Sequence, residues 1–197
     1  MDIRKTEVVL LKRSWQPCRW RLSEAAPARG ESQMGTKILW PLISNVIRRN
    51  KLSNTYGRFP QRKSGVHWGW DFYAAAATPC FAIADGPIKL VYGSATDTGN
   101  FGLVVVQEFE FEGETLYAAY CHLSAAYVAV APHSIAAGTQ IGMTGNSGNA
   151  STMKGEDEHL HFEIRTSARP KPGGEPYRIS PLKVFKVCPL NKPILEP

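Results

Sequence analysis

Apolar and polar residues alternate through Glu158-His159-Leu160-His161-Phe162-Glu163-Ile164, the period-two pattern of a half-buried β-strand. Side chains two apart on a strand share a face. His159, His161 and Glu163 therefore stand together, and Leu160, Phe162 and Ile164 face a core. Residues 103–111 also alternate after a continuous apolar start. A tight turn at Glu112-Gly113-Glu114 follows, so residues 103–111 and 115–123 predict a β-hairpin. Asp85-Gly86 marks a turn between residues 82–86 and 87–92. Residues 38–42 open the ordered part with Pro41 suited to a strand edge. Residues 44–51 are a helical turn or a loop, and 53–60 are rich in turn formers. Residues 94–99 and 149–157 read as polar loops, and no helix longer than about two turns is predicted.

The chemistry lies on this β framework. Neutral imidazole is the commonest metal ligand, so two histidines side by side on an open strand face are a candidate metal site, against the plain alternative of two surface histidines. Val66-His67-Trp68-Gly69-Trp70-Asp71-Phe72 adds a His and an Asp four apart around a Gly. Catalytic zinc takes three nitrogen or oxygen ligands and leaves a fourth position open. His67, Asp71 and one of His159 and His161 would fill three positions. The remaining histidine would stand near the fourth, where a general base belongs.

The spacing H-x-G-x-D at His67 to Asp71, followed by H-x-H at His159 to His161, resembles the LytM/lysostaphin-like zinc metallopeptidases, the peptidoglycan endopeptidases of metallopeptidase family 23. Tyr120-Cys121-His122-Leu123-Ser124 is similar to that family's Y-x-H-L-S strand. Residues 138–148, GTQIGMTGNSG, are similar to its glycine-rich turn. The resemblance spans about residues 38–181. It implies a mainly β fold: a single domain of mostly antiparallel, curved sheets, the duplicated hybrid motif, with an active-site groove walled by loops. It also implies Zn2+ held by His67, Asp71 and His161, with His122 and His159 as the non-ligand catalytic histidines. The implied activity is hydrolysis of peptidoglycan peptide cross-links, at a D,D bond by preference and a glycyl bond as the other option. A catalytically silent relative that activates another wall hydrolase is the alternative. Glu163, on the histidine face, is the expected acceptor for a ligand imidazole.

Composition agrees with a β-rich domain. The chain has 197 residues, 43% of them hydrophobic, with 17 Gly and 14 Pro. Its charge of +6 is uneven: residues 1–66 carry 14 Lys/Arg against 4 Asp/Glu, and residues 67–197 carry 9 against 13. The division expected is a basic extension at 1–36, the metallopeptidase domain at 37–185, and a tail at 186–197. A basic arm can attract anionic surfaces, but no basic–aromatic recognition motif points to nucleic acid. Cys18, Cys80, Cys121 and Cys188 are too scattered for a cysteine zinc site or a disulfide scaffold. Alternation turns Cys121 away from His122 and makes it a buried free thiol. Trp68 and Trp70 are expected in the core, or at the groove rim if exposed, and His133 in a surface loop.

The apolar run at 8–11 is too short for a signal-peptide core or a membrane span. The expectation is action at the bacterial wall or periplasm, reached through a specialised secretion system, by lysis or by another route. The partner expected is the peptidoglycan peptide, with an immunity or delivery protein as a further option.

Overall fold

Alternation and turn chemistry become strands, the longest at residues 103–111 and 114–126. The computed structural model describes residues 36–63, 65–169 and 177–195. Within them run β1 (Ser44–Asn45), β2 (Gly57–Arg58), β3 (Val66–His67), β4 (Trp70–Tyr73), β5 (Pro79–Phe81), β6 (Gly86–Tyr92) and β7 (Leu103–Phe111). There follow β8 (Glu114–Ala126), β9 (Ser134–Ile135), β10 (Gln140–Thr144), β11 (His159–Arg165), β12 (Arg178–Ile179), the one-turn helix α1 (Leu182–Phe185) and β13 (Ile194–Leu195). Except for Thr36, the expected extension at 1–36 lies outside the described residues.

The named strands pair antiparallel, and the main sheet runs β12-β11-β8-β7-β6-β9. β10 bridges β5 and β8, and β4 pairs with β11. The hairpin spans the expected residues. Glu112 (φ 51°) and Gly113 (φ 80°) both adopt the left-handed conformation between Phe111 and its partner Glu114, as a two-residue type I′ turn requires. Residues 38–40 are irregular and 41–43 bend, with no strand there, and residues 48–50 and 52–54 are short 3-10 turns.

One face of the sheet carries the core. Leu160, Phe162 and Ile164 are fully buried there with Trp70, Phe72 and Tyr120. Each such side chain stabilises the fold by roughly 1.5–3 kcal/mol relative to exposure. Phe185 of α1 stacks on Trp40 at 4.3 Å between ring centres and lies 5.9 Å from Trp70. Residues 186–195, expected as a tail, instead return to the domain. β13 pairs with β1, and Cys188, Leu190 and Ile194 pack against the core. The apolar residues of 186–195 are irregularly spaced around Pro189 and Pro193 and carry no strand or helix period, so the pattern does not predict this return.

The other face was expected to be open, but β11 is buried from end to end. β4 and β12 cover one of its edges and β8 the other. Among the described residues no helix is long and apolar enough to cross a membrane.

Candidate active site

Register assembles the site. His161 lies directly opposite Asp71 of β4 on one side and Cys121 of β8 on the other. Directly opposed residues of an antiparallel pair share a face, so Asp71 and His161 converge although 90 residues apart. β3 brings His67 to the same point. His67 Nε2, His161 Nδ1 and Asp71 Oδ1 sit 2.9, 2.9 and 3.1 Å apart in pairs. All three residues are buried. Gly69 permits this approach, because a Cβ there would lie 2.3 Å from the carbonyl oxygen of Phe162.

The expected orientation of Cys121 is overturned at this point. Alternation holds through Leu116, Ala118 and Tyr120, all on the core side, and then breaks. His122 takes φ 62°, and the β8 register shifts against its neighbours. A bulge of this kind turns two consecutive side chains to one face. Cys121 therefore stays on the His161 side, packed with Val104, Val106 and Ala119, and His122 joins it. Cys121 is a buried free thiol as expected, and burial pushes its pKa up.

Each of the four clustered histidines is fixed by an acceptor-only oxygen. His67 Nδ1 donates to the Thr55 carbonyl (2.8 Å), His122 Nδ1 to Ser147 (2.8 Å) and His159 Nδ1 to Asp157 (2.8 Å). His161 Nε2 donates to Glu163 Oε1 at 3.1 Å, placing an acceptor where one was expected. A neutral imidazole donates through one nitrogen and offers a lone pair at the other. The outer nitrogens hold these protons, so His67 Nε2 presents a lone pair to Asp71 Oδ1, and His161 Nδ1 presents one where a cation takes the place of its second proton. Three convergent acceptors in a buried place attract a cation.

The electrostatics point the same way. Burial opposes charge on His161, yet its hydrogen bonds to Asp71 and Glu163 outweigh this and hold its pKa up at about 9. Asp71 is held well below the usual carboxylate range, mainly by the neighbouring histidines against the effect of burial. Glu163 is held down at about 2 by His161 and Arg165, again against burial. Burial lowers His67 and His159, and burial together with the neighbouring histidines lowers His122 to about 3. The pocket thus favours one positive charge between Asp71 and Glu163, carried by the His161 ring where no cation takes its inner proton's place, and keeps the other three imidazoles neutral. A tetrahedral zinc ion with bonds of ~2.0–2.2 Å sets its donors roughly 3.3–3.5 Å apart. The donor set fits it after an outward adjustment of a few tenths of an ångström.

The five residues singled out from the sequence come together. His159 Nε2 is 3.7 Å from Asp71 Oδ1, and the rings of His122 and His159 are 5.1 Å apart. His133 is exposed elsewhere. The pocket they line has a volume of about 370 Å3, and Trp68, Phe101, Asn149 and Met153 form part of its wall. Trp68 is half-buried at the groove, whereas Trp70 is in the core. The loop at 94–99 does not line the pocket directly. It supports the 145–157 wall instead, with Gly148 N donating to the Asp97 carbonyl at 2.6 Å.

Sequence reading missed Arg48 and Arg62, which each place a guanidinium nitrogen 3.2 Å from Asp71 Oδ2. It also missed Phe101, stacked on His161 at 5.3 Å. Neither arginine carries a local motif, and only the fold brings them to Asp71.

An antiparallel β fold with a buried His-Asp-His donor set and two further histidines defines a candidate metal-dependent hydrolase. Residues 65–172 match peptidase family M23, more than half of the chain, and the chain belongs to that family. Among solved structures it is similar to the catalytic domain of the antimicrobial peptidase lysostaphin from Staphylococcus simulans. The two are 27% identical with a TM-score of 0.52, over 68% of this chain and 90% of that one. The solution structure of lysostaphin is similar at 25% identity and TM-score 0.51, with 72% of this chain covering 54% of that protein. No curated protein sequence matches the chain closely.

Proposed function

We propose that this chain is a zinc-dependent endopeptidase that cuts the peptide cross-links of bacterial peptidoglycan. The observation that carries the reading is the convergence of three lone-pair donors, His67 Nε2, His161 Nδ1 and Asp71 Oδ1, beside two neutral histidines in one pocket. Membership of a peptidase family and likeness to an antimicrobial peptidase support it. All five positions hold the residue that such chemistry needs, which favours catalysis over a silent binding role.

His67, Asp71 and His161 would hold the ion, which supplies a Lewis acid for the substrate carbonyl and acidifies water at neutral pH. The remaining steps belong to the protein. His122 and His159 each have Nδ1–H committed to a backbone carbonyl, so each presents Nε2 to the pocket as a proton acceptor. Their lowered pKa values keep both uncharged at neutral pH. One takes the proton from water, and the pair delivers it to the leaving amine. Glu163, gripped by Arg165 (2.5 Å) and Arg178 (3.0 Å), fixes the ring of His161.

Glycan cleavage uses a pair of carboxylates astride the glycosidic bond. Both buried carboxylates here are engaged by histidines and arginines, which leaves carbonyl chemistry. The bond preferred is the D,D cross-link between stem peptides, reached at the wall or periplasm by secretion or lysis. Metal analysis with digestion of purified peptidoglycan tests the reading. Stoichiometric zinc and release of peptide fragments are expected, and metal-free protein that digests equally well would overturn it.

A further inference from the structure

Arg48 occupies a position that the proposed chemistry does not account for. Its Nη2 donates to Asp71 Oδ2 at 3.2 Å and to Asn54 Oδ1 at 3.0 Å, while its Nη1 donates to Asp157 Oδ1 at 3.0 Å. Asp157 is the residue whose carbonyl fixes His159 Nδ1 at 2.8 Å. A single planar guanidinium therefore spans the carboxylate of a proposed metal ligand and the residue that aims a proposed proton acceptor.

The surroundings are built to hold that span. Asn54 Nδ2 donates back to the Arg48 carbonyl at 2.7 Å, which closes the 48–54 turn on itself. Arg49 grips the same Asp157 through Nε at 2.6 Å and Nη2 at 2.7 Å. Consecutive residues rarely reach one carboxylate from the same side. Here Arg49 and Asn50 both adopt left-handed conformations, φ 53° and 47°, which non-glycine residues avoid unless the surroundings hold them. Arg62 completes the arrangement: its Nη2 donates to Asp71 Oδ2 at 3.2 Å and to Asn54 Oδ1 at 2.8 Å. With two guanidinium groups on Oδ2, Asp71 has only Oδ1 left for the His67–His161 side.

The geometry points to Arg48 as a positioning residue that couples Asp71 to His159 through Asp157, with Arg62 serving the Asp71 end alone. The inference rests on the proposed ligand role of Asp71 and the proposed proton-transfer role of His159. Three variants divide it: Arg62→Ala loosens Asp71 only, Asp157→Asn loosens the His159 end only, and Arg48→Ala loosens both. Arg48→Lys keeps the charge but has no planar fork to reach two carboxylates.

Two substrate-free readouts follow the two ends. Zn2+ affinity is measured by competition with a chromophoric chelator, and the Nδ1–H proton of His159 is followed by NMR. Arg62→Ala is expected to weaken Zn2+ binding by about tenfold or more and leave the His159 proton in place. Asp157→Asn should shift or broaden that proton and change Zn2+ affinity much less. Arg48→Ala should do both, and Arg48→Lys should restore at most one. Should Arg48→Ala fail to fold, Arg48→Lys carries the comparison. An Arg48→Ala protein that moves neither readout, or only one where the matching single-end variant moves the same one equally, overturns the coupling, and so does an Arg48→Lys protein that moves neither. So does a uniform loss in every variant that tracks melting temperature, the mark of a merely structural role. If the three-way pattern appears in a protein that cuts no peptidoglycan, the coupling stands and the proposed function falls.

Discussion

Replacing Gly69 by alanine should damage fold and site together, by an amount the structure sets. The added Cβ would meet the Phe162 carbonyl oxygen at 2.3 Å, its carbon at 3.0 Å and Glu163 Cγ at 3.1 Å. Two of these atoms are backbone in β11, which β8 and β12 also hold, so β11 is the stiffer partner. Relief requires the segment 66–71 to withdraw by roughly 1 Å, the gap between such a contact and ordinary van der Waals separation. That segment carries His67 and Asp71, whereas His161 stays on β11. Overpacking of this kind costs about 1–3 kcal/mol, which lowers the melting temperature by roughly 2–12 °C for a domain of this size. Withdrawing two of three donors should weaken Zn2+ binding by about tenfold to a hundredfold, as for other disturbances of ligand placement. Melting curves with and without Zn2+ measure both effects, because an ion that binds only the folded state stabilises it by an amount that grows with the logarithm of its affinity. A Gly69→Ala protein with the parent's melting point and the parent's Zn2+ response would refute the argument that this glycine sets the spacing of the site.

Three further outcomes are expected. His67→Ala, Asp71→Ala and His161→Ala should each lose zinc and activity together, and full zinc in all three would remove the ligand assignment. His122→Ala and His159→Ala should keep zinc and lose ~10²-fold or more in kcat, with KM changing less; zinc lost from His159→Ala but kept in His161→Ala would reverse the roles of that pair. Glu163 has its pKa depressed from 4.5 to about 2 in the folded chain. Its ionised form therefore contributes about 3 kcal/mol above pH 4.5, and this is lost as pH falls towards 2. Denaturant melts of metal-free protein should show Glu163→Gln less stable at neutral pH, with the two curves converging in that acid window. A gap that stays constant with pH would contradict this.

Where local pattern and tertiary environment agree, the sequence was legible. The hairpin at 103–123 follows from alternation and one Glu-Gly turn, and the facing of Leu160, Phe162 and Ile164 from period two alone. The five histidine and aspartate positions carried fixed spacing, and the fold brings them into one pocket. Legibility failed where the backbone leaves its period. The bulge at His122 reverses the expected side for Cys121, and nothing in Tyr-Cys-His announces φ 62°. It failed also where burial on both faces hides a strand's polar side: Glu163 and Arg165 are fully buried and charged, each tolerable only because the other is there. Trp68 and Trp70 looked alike in sequence, and only the strand boundary at Trp70 separates groove from core. Arg48 and Arg62 lie 23 and 9 residues from Asp71, beyond any spacing rule.

On the proposed reading this pocket cuts peptide bonds between stem peptides with zinc as its ion. Purified cross-linked muropeptide dimers, incubated with the full chain and resolved by mass spectrometry, test it most directly. Dimers should fall to monomers, the reaction should stop with a chelator and resume with Zn2+, and His159→Ala should leave the dimers uncut. Cleavage confined to oligoglycine would keep the enzyme class and overturn the choice of bond. New reducing sugar ends with the dimers intact would contradict the account.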